Sequence, residues 1–115
     1  MDSLYKEVMT FRETLKLYHF QCKSFPEHKI SDEILIKFDD TLDKFFEMYQ
    51  GAEGRIKIKK LTLSISGQLT KNEIIIIAVT LQKTLKNQNL KFDLANVRDE
   101  LVGIMNLFIY LLSFN

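Results

Sequence analysis

Apolar residues recur every three or four positions along four separate stretches of this chain, a spacing that commits each stretch to one face of a packed helix. Leu4, Val8, Phe11, Leu15, Tyr18 and Cys22 step along at 4-3-4-3-4, which predicts a first helix over residues 3–22 with a narrow buried stripe. Leu35, Phe38, Leu42, Phe45 and Tyr49 continue the pattern and predict a second helix over 25–50. Its start carries Ser24 as N-cap, Pro26 in the first turn, and Glu27 three residues after the cap, the spacing of a capping box. Gly51 is the expected stop, in the left-handed conformation common at helix C-termini. Ile74, Ile77, Leu81 and Leu85 predict a third helix over 70–87, opened by Thr70 with Glu73 at the third position. Leu94, Val97, Leu101, Ile104, Phe108 and Leu111 predict a fourth over 93–112, capped by Asp93.

The stretch 53–69, EGRIKIKKLTLSISGQL, breaks this rhythm. Ile56 and Ile58 alternate with lysines, and Leu61, Leu63 and Ile65 alternate with Thr and Ser, the period of extended chain. The second helix, of about 26 residues, is roughly 39 Å long at the helical rise. Some 17 extended residues reach roughly 56 Å, enough to run back along the whole bundle. Two short-turned helical pairs joined by one long crossover is the wiring of ferritin-like bundles. The expected architecture is therefore all-α, a ferritin-like four-helix bundle in a single domain over 1–115, with a long extended crossover at 53–69. The alternative is a β-hairpin between two helical pairs, turning at Lys59 and Lys60.

Composition narrows the functional classes. Sixteen basic against fifteen acidic residues leave a net charge of +1, so no nucleic acid and no anionic membrane is an expected partner. The most apolar run, Gly103–Phe114, is about half of what spans a bilayer, so no membrane insertion is predicted. Met1-Asp2-Ser3 lacks the start of a signal peptide. A lone cysteine, Cys22, fits a reducing setting, so the expected location is cytoplasmic. Met105, Phe108, Ile109, Tyr110, Leu111, Leu112 and Phe114 make the fourth helix apolar on more than one side, and a homodimer or larger homo-oligomer is expected to cover it.

The candidate chemistry lies in the first two helices. The only two histidines, His19 and His28, are nine residues apart around the first turn. In an antiparallel pair they stand at nearly the same height. Asp39, Asp43 and Glu47 place one carboxylate per turn along the second helix. Glu27 reads as a cap, Cys22 as packing, and Glu100 as a carboxylate bordering the buried stripe of the fourth helix. There is no phosphate-binding loop, catalytic triad or cysteine-rich zinc pattern in the sequence.

His19, the Glu27-His28 pair and the later Asp43-x3-Glu47 together resemble the iron-binding pattern of Dps proteins, the small ferritins. The resemblance implies His19 and His28 as nitrogen ligands, Asp43 and Glu47 as oxygen ligands, and iron as the metal, with manganese or zinc as alternatives. It covers about 30 residues. Phe20 stands where Dps proteins carry a tryptophan, the histidines are closer together, and no lysine-rich tail is present. The chain is also similar to short helical proteins of large phages and other large DNA viruses, through the same histidine turn and Tyr49-Gln50-Gly51. His28 and Asp43 are about 22 Å apart along one helix, so they cannot share an ion within one chain. A two-fold dimer of second helices centred near residues 35–36 would bring them together. The resemblance thus implies an ion between subunits and leaves open whether Fe(II) is oxidised there. The competing expectation is a non-enzymatic viral structural or host-interaction bundle.

Overall fold

The computed structural model describes residues 1–114. Four helices follow one another: α1 (Asp2–Gln21), α2 (Phe25–Glu53), α3 (Lys71–Lys86) and α4 (Phe92–Leu112). Each packs on two others. Around the bundle the order is α1, α2, α4, α3, with α1 facing α4 and α2 facing α3 across the core. Twenty-nine residues of α2 reach about 43 Å at the helical rise, so this helix alone spans the 42 Å long axis.

The crossover runs back along that length. Ile56 and Lys59–Leu61 line a groove with Tyr5, Met9 and Arg12 of α1 and with α2. Further on, Gln21 Nε2 donates to the Gly67 carbonyl at 2.8 Å. The end of α1 thus lies beside the start of α3, and α3 runs antiparallel to α1. This is the single-crossover, ferritin-like wiring. Among the described residues there is no strand pairing, and no hairpin turns at Lys59-Lys60. The period-2 pattern survives as burial: Ile56, Ile58, Leu63 and Ile65 are half-buried, their neighbours exposed. A bend at Lys59 shifts the alternation by one residue, and Leu61, although in phase with Leu63 and Ile65, is left 40% exposed.

The core is made of the predicted stripes, led by Phe11, Leu15, Phe38, Phe45, Ile74, Leu85, Leu101 and Phe108. Phe11 and Phe38 meet edge to face at 5.3 Å, and Phe45 and Phe46 do so at 5.1 Å. In α4 the buried line is Leu94, Val97, Leu101, Met105, Phe108 and Leu112, while Ile104 and Leu111 sit at its edge. In α3, Ala78 takes the buried place and Ile77 is half-buried. In both helices every candidate position is apolar, so periodicity does not choose the phase.

Helix ends bring two corrections. Gly51 does not stop α2; it lies inside the helix, which runs to Glu53 and ends at Gly54 with φ +95°. Asp93 does not cap α4: Lys91 holds the N-cap position without a side-chain bond, and Asp93 sits in the first turn near the positive end of the helix dipole. Thr70 and Glu73 do form the full reciprocal capping box of α3. At the far end of α3, Arg98 Nη1 donates to the carbonyls of Leu85 and Gln88 at 3.0 and 3.1 Å, tying the start of α4 to the turn that ends α3.

Candidate functional site

Three residues, Cys22 to Ser24, reverse the chain between α1 and α2. A turn this short forces the last turn of α1 against the first turns of α2, which is why the two histidines meet. Their rings stack, with centroids 3.9 Å apart and planes 22° from parallel. His28 Nδ1 donates to the His19 carbonyl at 2.9 Å, and His19 Nδ1 donates to the His28 carbonyl at 3.0 Å. A carbonyl only accepts, so each ring carries its proton on Nδ1 and turns Nε2 away from the turn. Ser31 Oγ closes the arrangement, 3.0 Å from His19 Nδ1 and donating to the His28 carbonyl at 2.9 Å. His19 is 7% exposed, while His28 lies at the surface.

The rest of the turn follows the same logic. Ser24 accepts from the Glu27 N–H at 3.4 Å, as a cap should. The Glu27 carboxylate does not return the bond to Ser24; it accepts from Tyr18 Oη at 2.6 Å. The capping box is therefore half-formed, because a buried phenol needs an acceptor more than an exposed N–H does. Burial, then Glu27, push the Tyr18 phenol well above its usual range. Burial and then the Glu27 charge also raise the Cys22 thiol, which keeps it protonated and a poor nucleophile at neutral pH.

The carboxylates predicted as ligands stand at a different height. Asp43 and Glu47 are exposed and line a groove of about 780 Å³ between α1, α2 and the crossover. Arg12 grips Asp39 through Nε and Nη2 at 3.0 and 2.9 Å and also contacts Glu13 at 2.8 Å. Its Asp39 bonds raise the affinity of the guanidinium for its proton further. Lys59 and Lys60 approach the same groove from the crossover. Glu100 does not reach inward: it is half-exposed and faces Lys44 of α2 at 3.6 Å.

The structure thus brings His19 and His28 together, keeps Asp43 and Glu47 one turn apart, and separates the two pairs along α2. Among the described residues no three His, Cys, Asp or Glu side chains converge on one ion within the chain. The stacking adds a constraint of its own. Imidazole lone pairs lie in the ring plane, so two near-parallel rings at 3.9 Å cannot both aim at one ion about 2 Å away. Each ring addresses its own direction. The Arg12–Asp39 bridge was not legible in the sequence, since helical spacing pairs residues within one helix but not across two. Gln82 was likewise missed. It is 6% exposed and donates to the Val102 carbonyl at 3.1 Å and to Asn106 Oδ1 at 2.6 Å, tying α3 to α4.

No helix among the described residues is long and apolar enough to cross a membrane. No curated protein and no solved structure matches the chain. Residues 19–112, from the first histidine to the end of α4, match the model of DUF5856, a family of unknown function, and the chain belongs to that family.

Proposed function

We propose that the protein is a Dps-like metal-binding bundle whose ion sits between two copies of the chain. The observation that carries this is the stripe along α2. His28, Asp32, Ile36, Asp39, Asp43 and Glu47 follow one another at steps of four or three residues, so they share one exposed face. Ile36, at the centre of that face, is 58% exposed. An antiparallel contact of two α2 helices about that centre places His28 of one copy against Asp43 and Glu47 of the other. Fixing Nδ1 on a backbone carbonyl is how metal-binding imidazoles are usually oriented, and it leaves Nε2 of His28 outward. The Arg12 grip on Asp39 offsets negative charge that the contact would otherwise bring together.

The donor set, imidazole with carboxylates, fits iron, with manganese or zinc as alternatives. His28 is the leading nitrogen ligand. His19, stacked beneath it, addresses a second ion or braces the first ligand. Whether Fe(II) is oxidised at such a site is a separate question from whether it binds. Equilibrium dialysis with Fe(II) or Zn(II) against native mass tests the reading. His28→Ala and Asp43→Ala are each expected to abolish binding, and mixed dimers of the two to regain one site of two. Wild-type protein that binds neither ion stoichiometrically at pH 7.5 overturns it.

A second reading, a non-enzymatic viral structural or host-interaction bundle, draws on apolar surface of α3 and α4. Ile76 and Val79 of α3, Tyr110 of α4 and Phe114 just beyond it are 36–64% exposed. That much apolar surface favours a protein partner. Tyr110→Lys with Ile76→Lys is expected to leave metal binding intact and remove partner binding.

A further inference from the structure

The crossover has a feature that a simple connecting strap does not need. From residue 55 to residue 69 it makes no backbone–backbone hydrogen bond with any described residue. Side chains reach its backbone at two places, where Gln50 Oε1 accepts from the Ile56 N–H at 3.2 Å and Gln21 donates to the Gly67 carbonyl. Between them the chain is extended and alternates, with Leu63 and Ile65 half-buried and Thr62 and Ser64 exposed. Extended chain with a free row of N–H and C=O groups is one half of a β-ladder.

Charge decides where it can pair, and with what. Arg55, Lys57, Lys59 and Lys60 crowd its first part, so a like strand laid there would oppose cation to cation. From Leu61 to Thr70 no residue is charged. We propose that residues 61–65 pair antiparallel with the same residues of a second copy, across a two-fold axis at Leu63. In that register Leu63 meets Leu63, Leu61 meets Ile65, and Thr62 meets Ser64. Lys59 and Lys60 then face Gly67 and Ser66 of the second copy, so no like charges are opposed. A shift of one residue would set inward leucines against outward serines. The pairing also covers Leu61, which the bundle leaves 40% exposed.

Height along the bundle bears on both contacts. The crossover leaves the end of α2 at Gly54 and reaches the end of α1 near Gly67. Leu63 lies about two thirds of the way between these points, which on α2 falls within about one turn of Ile36. The axis through Leu63 passes near the height of the axis that would join two α2 stripes, so height does not set the two contacts against each other. The strand pairing rests on the crossover's own backbone and charge and needs no metal.

Cysteine pairs read the register. In a Cys22→Ser background, Thr62→Cys protein mixed with Ser64→Cys protein is expected to oxidise to a disulfide-linked heterodimer. Opposed residues of a ladder are about 4.5–5.5 Å apart at Cα, within disulfide reach. Either variant alone places its cysteines on the diagonal, about 7–8 Å apart, and is expected to link several-fold more slowly. Charge reads the interface: T62K/S64K is expected to give a 13.5 kDa monomer of unchanged helicity, and mixing it with T62E/S64E to restore the dimer. Equal crosslinking in all mixtures, a dimer that survives T62K/S64K, or a wild type that is monomeric at micromolar concentration overturns the proposal. A selectively crosslinked dimer that binds neither Fe(II) nor Zn(II) supports the strand pairing and overturns the metal reading alone.

Discussion

The turn between α1 and α2 and the crossover between α2 and α3 solve the same problem in opposite ways. The first takes three residues and satisfies its polar groups internally, with two histidines, Ser31, Tyr18 and Glu27 closing on one another. The second takes seventeen residues, 54–70, and leaves most of its backbone groups without a partner among the described residues. A connection that satisfies itself fixes the register of the helices it joins. One that does not is held by side-chain burial and a few side-chain hydrogen bonds, and its open hydrogen-bonding edge is free for another molecule.

The contrast breaks most sharply at His19. Replacing this buried ring by alanine leaves a cavity and removes the Nδ1–H donor that faces the His28 carbonyl and Ser31 Oγ, with an expected cost of about 2–3 kcal/mol in urea unfolding. Leu61→Ala in the crossover is expected to cost the isolated chain less than about 0.5 kcal/mol. Similar losses at the two positions would show that the crossover is as tightly built as the turn.

The junction of α2 with the crossover gives the next largest effect. Gly54 has φ 95° and ψ 169°, a region essentially reserved for glycine, so Gly54→Ala should destabilise by about 1–3 kcal/mol. Gly51 lies in the helix with nothing near its missing Cβ, so Gly51→Ala should stabilise by about 0.5–1 kcal/mol. Opposite shifts in melting temperature for two glycines three residues apart are the expected result.

Tyr18 carries the smaller effect, and its pH dependence has a definite sign. The folded phenol holds its proton more tightly than the unfolded one, whose pKa is about 10. The stabilisation is therefore complete below about pH 10 and is lost as pH rises toward the folded value. At pH 7, Tyr18→Phe should cost about 1 kcal/mol. Between pH 8 and pH 11 the urea midpoint of wild type should fall further than that of the variant. Parallel curves would show that neither burial nor Glu27 makes the folded phenol hold its proton more tightly than the unfolded one.

Much of the fold was legible because helical packing writes itself into spacing. Leu4 to Tyr18 and Leu35 to Phe45 appear in the core as read, and the length of the 53–69 segment implied the crossover. The ends were less legible. Gly51 and Gly54 both satisfy a stop signal, and only the contacts of the last turn choose between them. The candidate site was half legible: the histidines met as their height required, but their stacking and the diversion of Glu27 to Tyr18 depended on side chains from two helices.

Sequence alone determined the four helices and the antiparallel turn, since period, cap chemistry and length are local quantities; it left 53–69 as a crossover or a hairpin, and the structure chose the crossover. Tertiary structure alone decided the phase of α4, where Met105 and Leu112 rather than Ile104 and Leu111 face inward. It alone placed Arg12 on Asp39 and Gln82 on Val102 and Asn106. A run of apolar residues offers several faces of nearly equal hydrophobicity, and a charged side chain has many partners within reach. Only the arrival of a second helix makes one of those choices lower in free energy than the rest.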